Sequence, residues 1–168
     1  MLHKHLHEYY LQQQSCVWEK LGPMTVVDGS TTLVLGLGDI GTEFARRIHA
    51  MGSLVIGIRK SHQPKPDFVD EQYTMDALND VLSRADIVAM SLPGYSQTRH
   101  IINKETLALM KPTAVLINVG RGISVDTDAL CQALNEGRLG GACLDVTDPE
   151  PLPADHPLWK AKNALITP

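Results

Sequence analysis

From Thr31 onward the chain alternates between two rhythms of apolar and polar residues. Near-continuous apolar runs occupy about 32–36, 54–58, 86–91, 114–119, 141–146 and 164–167, and each has the length of a strand. Between them lie stretches with apolar residues three and four apart, at about 40–51, 75–84, 103–110 and 126–136. That spacing predicts helices with one buried face. In the first helix Ile40, Phe44, Ala45 and Ile48 form the expected apolar face, and Gly52 ends it. In the last, Asp126 or Thr127 serves as the cap, and Ala129, Leu130, Ala133 and Leu134 make the stripe before Gly137. Strands without polar alternation are buried on both faces, which requires helices on both sides of a parallel sheet. The pattern therefore predicts an α/β fold built on a doubly wound parallel sheet. Ligands of such folds bind beyond the carboxyl ends of the strands, so the residues just after each run matter most.

The first two dozen residues break this rhythm. They are polar, helix-compatible and rich in Gln and His, and Gly22-Pro23 closes them. Lacking the apolar density of a core helix, residues 1–24 read as an arm that packs on something outside this chain. His3 and His7 are four apart, but histidines near a terminus read as solvated, and no metal site is expected. Residues 148–157 (DPEPLPADHP) form a proline-rich loop.

One junction carries a specific chemistry. After the first apolar run comes Gly36-x-Gly38-Asp39-Ile40-Gly41, then the first helix, then a second run ending in Arg59. A glycine turn joining a strand to a helix is the dinucleotide-binding fingerprint in its proper context, and it makes the sheet Rossmann-type. Gly36 permits the turn, Gly38 lets backbone approach a pyrophosphate, and Gly41 lets helix and strand pack closely. The helix then aims its free N–H groups and positive dipole end at the phosphates. The end of the second strand selects the cofactor, because an acid there binds the ribose hydroxyls of NAD. Here that position reads Arg59-Lys60-Ser61, two cations and a hydroxyl suited to the 2′-phosphate of NADP. The expected cofactor is NADP or NAD, with NADP favoured.

Composition narrows the class. At 168 residues the chain has the size of one domain, with 43% apolar and 20% charged residues. A net charge of −4 with no basic block argues against a nucleic-acid partner. No apolar run has the length of a membrane span, and the first ten residues lack a signal-peptide core. Cys16, Cys131 and Cys143 are odd in number and without metal-ligand spacing, which suits a reducing cytosol. Cys143 reads as a small core residue.

Three separated stretches, in order, carry a family resemblance. The glycine fingerprint, SLPGYSQTRHIINKETLALMKPTAVLINVGRG and GACLDVTDPEPLP together resemble the D-isomer-specific 2-hydroxyacid dehydrogenases over about residues 25–168. The resemblance implies a nicotinamide-dependent oxidoreductase that interconverts a 2-keto acid and a D-2-hydroxy acid. It assigns Arg121 to the substrate carboxylate and Glu150 to orienting the family's catalytic histidine. Asp145 would hold the nicotinamide carboxamide, and Leu92, Pro93, Thr98, Val119 and Gly120 would line the cofactor. It further implies a homodimer in which the 1–24 arm reaches the partner, with Tyr9, Tyr10 and Trp18 as anchors. The family's histidine follows a Thr-Pro, and this chain stops at Thr167-Pro168, with none of its seven histidines in that context. Sequence corresponding to the family's substrate-binding domain is likewise not found, so the chain reads as a cofactor domain inactive on its own. The same scaffold also serves as a nucleotide-sensing corepressor, and a non-catalytic dinucleotide-binding module is a third reading.

Overall fold

The computed structural model describes residues 1–61 and 63–167. Its centre is one parallel sheet of seven strands: β1 (Thr31–Leu35), β2 (Leu54–Arg59), β3 (Glu71–Thr74), β4 (Ile87–Met90), β5 (Val115–Asn118), β6 (Gly141–Leu144) and β7 (Ala164–Ile166). They lie in the order β3-β2-β1-β4-β5-β6-β7, so the direction of winding reverses between β1 and β4. The helices are α1 (Leu6–Gln14), α2 (Asp39–Ala50), α3 (Leu78–Leu82), α4 (Lys104–Leu109) and α5 (Thr127–Asn135).

Alternate residues of β1 and β2 feed two separate cores, as the twofold pleat requires. Leu33, Leu35, Val88, Met90, Leu116 and Leu144 join residues of α3, α4 and α5 in the larger core. Val34 and Val55 face the other way and pack with Ala45 and Ile48 of α2. Asp126 is the cap of α5, its carboxylate accepting from the Ala129 N–H at 2.9 Å. Gly52 ends the turn after α2 at φ 85°, a left-handed backbone that suits glycine.

Four expectations are corrected. The sheet has a seventh strand, β3, whose sequence EQYT is polar and half-exposed. It forms as an edge because β2 offers a free row of backbone groups, pairing Ile56 with Glu71 through Arg59 with Thr74. The predicted helix at 75–84 is a 3-10 turn (Met75–Ala77) followed by the short α3. Ile40 is 62% exposed, so the buried side of α2 is Gly41, Ala45 and Ile48, with Phe44 only partly covered. Cys143 is half-buried on the sheet face away from the larger core, where burial pushes its thiol pKa up.

In the arm, α1 buries none of its residues, and Trp18 is fully exposed. Leu2 is its one buried side chain, lying beside Gly141. Tyr9 is turned inward, its hydroxyl accepting from the Leu21 N–H at 3.1 Å, which leaves Tyr10 and Trp18 as the outward rings. His3 pairs with Thr25 and His7 with Asn163, so the two histidines serve different partners. Among the described residues no helix is long and apolar enough to cross a membrane.

Candidate functional site

The reversal between β1 and β4 opens a crevice at the carboxyl edge of the sheet, where doubly wound folds bind ligands. The three glycines at its floor have three different surroundings. Gly36 turns at φ 96° with Ser91 and Leu92 of the neighbouring loop against it. A Cβ on Gly41 would lie 1.8 Å from the Gly36 carbonyl, so the start of α2 touches the turn backbone to backbone. A Cβ on Gly38 would meet nothing within 4 Å. The first and third glycines thus satisfy packing, and the second faces open space.

That open space lies at the N-terminus of the twelve-residue α2, whose cap residue, Gly38, offers no side chain to its N–H groups. First-turn N–H groups have no intrahelical acceptor, so they and the dipole favour an anion there. Asp39 and the exposed Ile40 stand on this first turn. Ser91 donates its hydroxyl to the Gly36 carbonyl at 2.7 Å and ties β4 to the turn.

Three cations stand along this edge, two at the crevice and one beyond it. Arg59, at the end of β2, donates from Nη2 to the Leu37 carbonyl at 2.9 Å. Lys60 lies over the Tyr95 ring, and Ser61 beside it is exposed. Arg121, exposed on the loop after β5, donates from Nη1 to the Gly120 carbonyl at 2.7 Å and packs beside Gly94. Among the described residues none of the three sits within ion-pair distance of a carboxylate. Their partners are carbonyl oxygens and a ring, which leaves each charge uncompensated and available to an anionic ligand.

The loops around Arg121 are set by close backbone contact. A Cβ on Gly120 would come within 2.6 Å of the Leu92 carbonyl, and one on Gly122 within 1.9 Å of the Thr147 carbonyl. Asn118, fully buried at the end of β5, accepts from the Gly120 N–H and donates to the Arg121 carbonyl, both at 3.1 Å. It shapes the turn that presents Arg121. Leu92 and Thr98 are buried, while Pro93 and Val119 are exposed. The Thr98 hydroxyl accepts from the Tyr95 N–H at 2.9 Å and donates to the Pro93 carbonyl at 2.7 Å, so it holds the β4 loop in shape.

Asp145 and Glu150 line a second groove with Leu152, Trp159, Ile166 and Thr167. Asp145 accepts from the Thr167 hydroxyl at 2.9 Å through one oxygen, and among the described residues its other oxygen has no side-chain hydrogen bond. Glu150 is exposed on the proline-rich loop. The structure therefore gathers Gly36, Gly38, Gly41, Arg59, Lys60 and Ser61 at one crevice, with Arg121 and the Asp145–Glu150 groove farther along the same edge.

Sequence reading missed Ser91, Tyr95, Asn118 and Gly122. Asn118 had a legible signal, as an amide within an apolar run. The other three act through partners remote in sequence.

The chain matches the family described as "D-isomer specific 2-hydroxyacid dehydrogenase, NAD binding domain" across residues 1–168. It is 39% identical over 142 residues to a glyoxylate reductase of Aeropyrum pernix, covering 83% of this chain and 42% of that protein. A D-isomer specific 2-hydroxyacid dehydrogenase family protein from Aeromonas salmonicida superposes with a TM-score of 0.90 at 38% identity, over 99% of this chain and 53% of that one. An NADPH-dependent glyoxylate/hydroxypyruvate reductase from Sinorhizobium meliloti, in complex with NADP and sulfate, gives 0.87 at 32% identity, over 99% and 54%. This chain thus spans about half the length of the relatives it resembles.

Proposed function

The chain belongs to the D-isomer-specific 2-hydroxyacid dehydrogenases, as their NAD-binding domain, and from that premise we propose that it holds NADP(H) for the interconversion of a 2-keto acid and its D-2-hydroxy acid. The single observation that carries the cofactor preference is the pair Arg59-Lys60 at the end of β2, where an acid would be needed to accept from a ribose 2′-hydroxyl. A guanidinium matches phosphate geometry bidentately, and the lysine adds a second positive charge.

The residues present fit the group. The uncapped start of α2 and the open face of Gly38 accept the pyrophosphate, and Asp145 offers an oxygen to the carboxamide. When bound, the nicotinamide supplies or accepts the hydride. Arg121 clamps the substrate carboxylate and sets positive charge against the keto oxygen as it gains electron density. Glu150 favours the protonated form of the imidazole that serves as proton donor, by charge pairing. Glyoxylate and hydroxypyruvate are the first substrates to examine, since relatives carry those names.

We also propose that the 1–24 arm forms a homodimer contact and that the protein works in the cytosol. Exposed Tyr10, Leu11, Val17 and Trp18 support the first reading, and three free thiols support the second. Sedimentation at micromolar concentration should give a dimer, and removal of residues 1–20 should shift it to monomer.

The cofactor reading is tested by calorimetric titration with NADPH and NADH. NADPH should bind more tightly by about tenfold or more, the effect of one or two charge-assisted hydrogen bonds. Arg59→Asp should reverse the order. Equal affinities in the wild type would refute the preference.

A further inference from the structure

The Lys60 ammonium lies 5.9 Å from the centroid of the Tyr95 ring. Lys60 follows β2 and Tyr95 belongs to the loop after β4, while β1 runs between those strands. The contact therefore crosses above the glycine turn, a span of two strand spacings or about 10 Å. Arg59, one residue earlier, turns instead to the near wall and the Leu37 carbonyl. Two consecutive cations are thus spread across one mouth, each steadied by a different loop.

Tyr95 is held in place for this contact. Its backbone is fixed on both sides, the N–H donating to Thr98 Oγ1 and the carbonyl accepting from the Thr98 N–H at 3.0 Å. Tyr95 is 56% exposed and outside both cores. A rigid base carries a solvent-facing aromatic surface, and a lysine rests on it.

We propose that Tyr95 is a positioning residue that holds Lys60 across the crevice for the 2′-phosphate of the dinucleotide. This rests on the NADP reading above. A lysine side chain samples many rotamers in water, and steadying it beforehand lowers the ordering cost at binding. An aromatic face does so without neutralising the charge. A carboxylate in its place would compete with the phosphate for the same ammonium. On binding, Lys60 keeps the ring beneath its ammonium and adds charge-assisted hydrogen bonds to phosphate oxygens from the same ammonium. Tyr95 therefore contributes to NADPH affinity and not to NADH affinity, though it lies outside the Arg59-Lys60-Ser61 segment.

Calorimetric titration of the 168-residue chain with both dinucleotides tests this. Tyr95→Leu should weaken NADPH by about three- to fivefold, the size of an exposed cation–π contact, and leave NADH within about twofold. Tyr95→Phe keeps the ring face and should retain the wild-type ratio. Lys60→Gln should cost NADPH about tenfold, and adding Tyr95→Leu to it should cost nothing further, because the two residues act as one unit. An unchanged ratio in Tyr95→Leu, equal weakening of both dinucleotides, loss in Tyr95→Phe, or additive effects in the double variant would each overturn the proposal. Wild-type protein that binds neither dinucleotide would overturn the underlying reading, and this inference with it.

Discussion

The two edges of the sheet handle polar groups in opposite ways. At the amino edge, polar groups find partners within the protein. Asp86, just before β4, accepts from the Thr31 N–H at 2.9 Å and from Lys111 at 2.7 Å. Burial works to raise its pKa, but those two donors outweigh it and hold the carboxyl below its usual range. Asp70 accepts from the Val55 N–H at 2.7 Å, and the Ser30, Thr32 and Ser53 hydroxyls bond to one another. At the carboxyl edge, among the described residues, the helix N–H groups and the three cations meet carbonyls, a ring or open space. Satisfied polar groups stabilise a fold, whereas available ones recognise a ligand. The amino edge does the first, and the carboxyl edge leaves three cations and a helix start available for the second.

The comparison breaks most visibly where both purposes share a residue. Gly41→Ala forces a Cβ against the Gly36 carbonyl and the Ser91 hydroxyl. It should cost about 3 kcal/mol in urea unfolding, at the upper end of overpacking penalties, and should also abolish NADPH binding. Next comes a purely structural change at the other edge. Asp86→Ala strands the Thr31 N–H and the Lys111 ammonium and should cost about 2 kcal/mol, while titration shows unchanged NADPH affinity.

Gly38→Ala is the converse. Its Cβ meets no protein atom, so stability should stay within about 0.5 kcal/mol of wild type. The same methyl occupies the approach of the pyrophosphate, and affinity for both dinucleotides should fall by about tenfold or more. A Gly38→Ala protein that binds normally would show that the phosphates do not lie there.

The smallest effect belongs to an exposed pair at the sheet's rim. Arg84 and then Tyr73 hydrogen-bond Glu71 and lower its pKa to about 2. Because the folded value is depressed, the contribution is complete above pH ~4.5 and disappears as pH falls through about 2. Solvent screening limits it to about 0.5 kcal/mol. The stability difference between wild type and Glu71→Gln should be that small at pH 7 and vanish near pH 2.

Six strands and the glycine turn were legible because their signals are local. An apolar run identifies its own burial, and Gly36, Gly38 and Gly41 lie within six residues. β3 was not legible, because EQYT becomes a strand only beside the open edge of β2. Ile40 followed the helical period yet lies outside, since the first turn of α2 projects past the sheet toward the crevice. The Thr98 hydroxyl holds its own loop in shape, a role that its place in the sequence does not reveal.

The amino-acid sequence by itself determined the alternation of strand and helix, the parallel sheet, the glycine turn and the two cations where β2 ends. Each follows from the period of side chains or from a backbone freedom that belongs to a residue type. Only the tertiary structure decided the strand order that opens the crevice between β1 and β4, and the clamping of Gly36 by Ser91, fifty-five residues away. It also decided which ring Lys60 would meet. Those depend on contacts between segments remote in the chain, and such contacts exist only after the sheet has assembled.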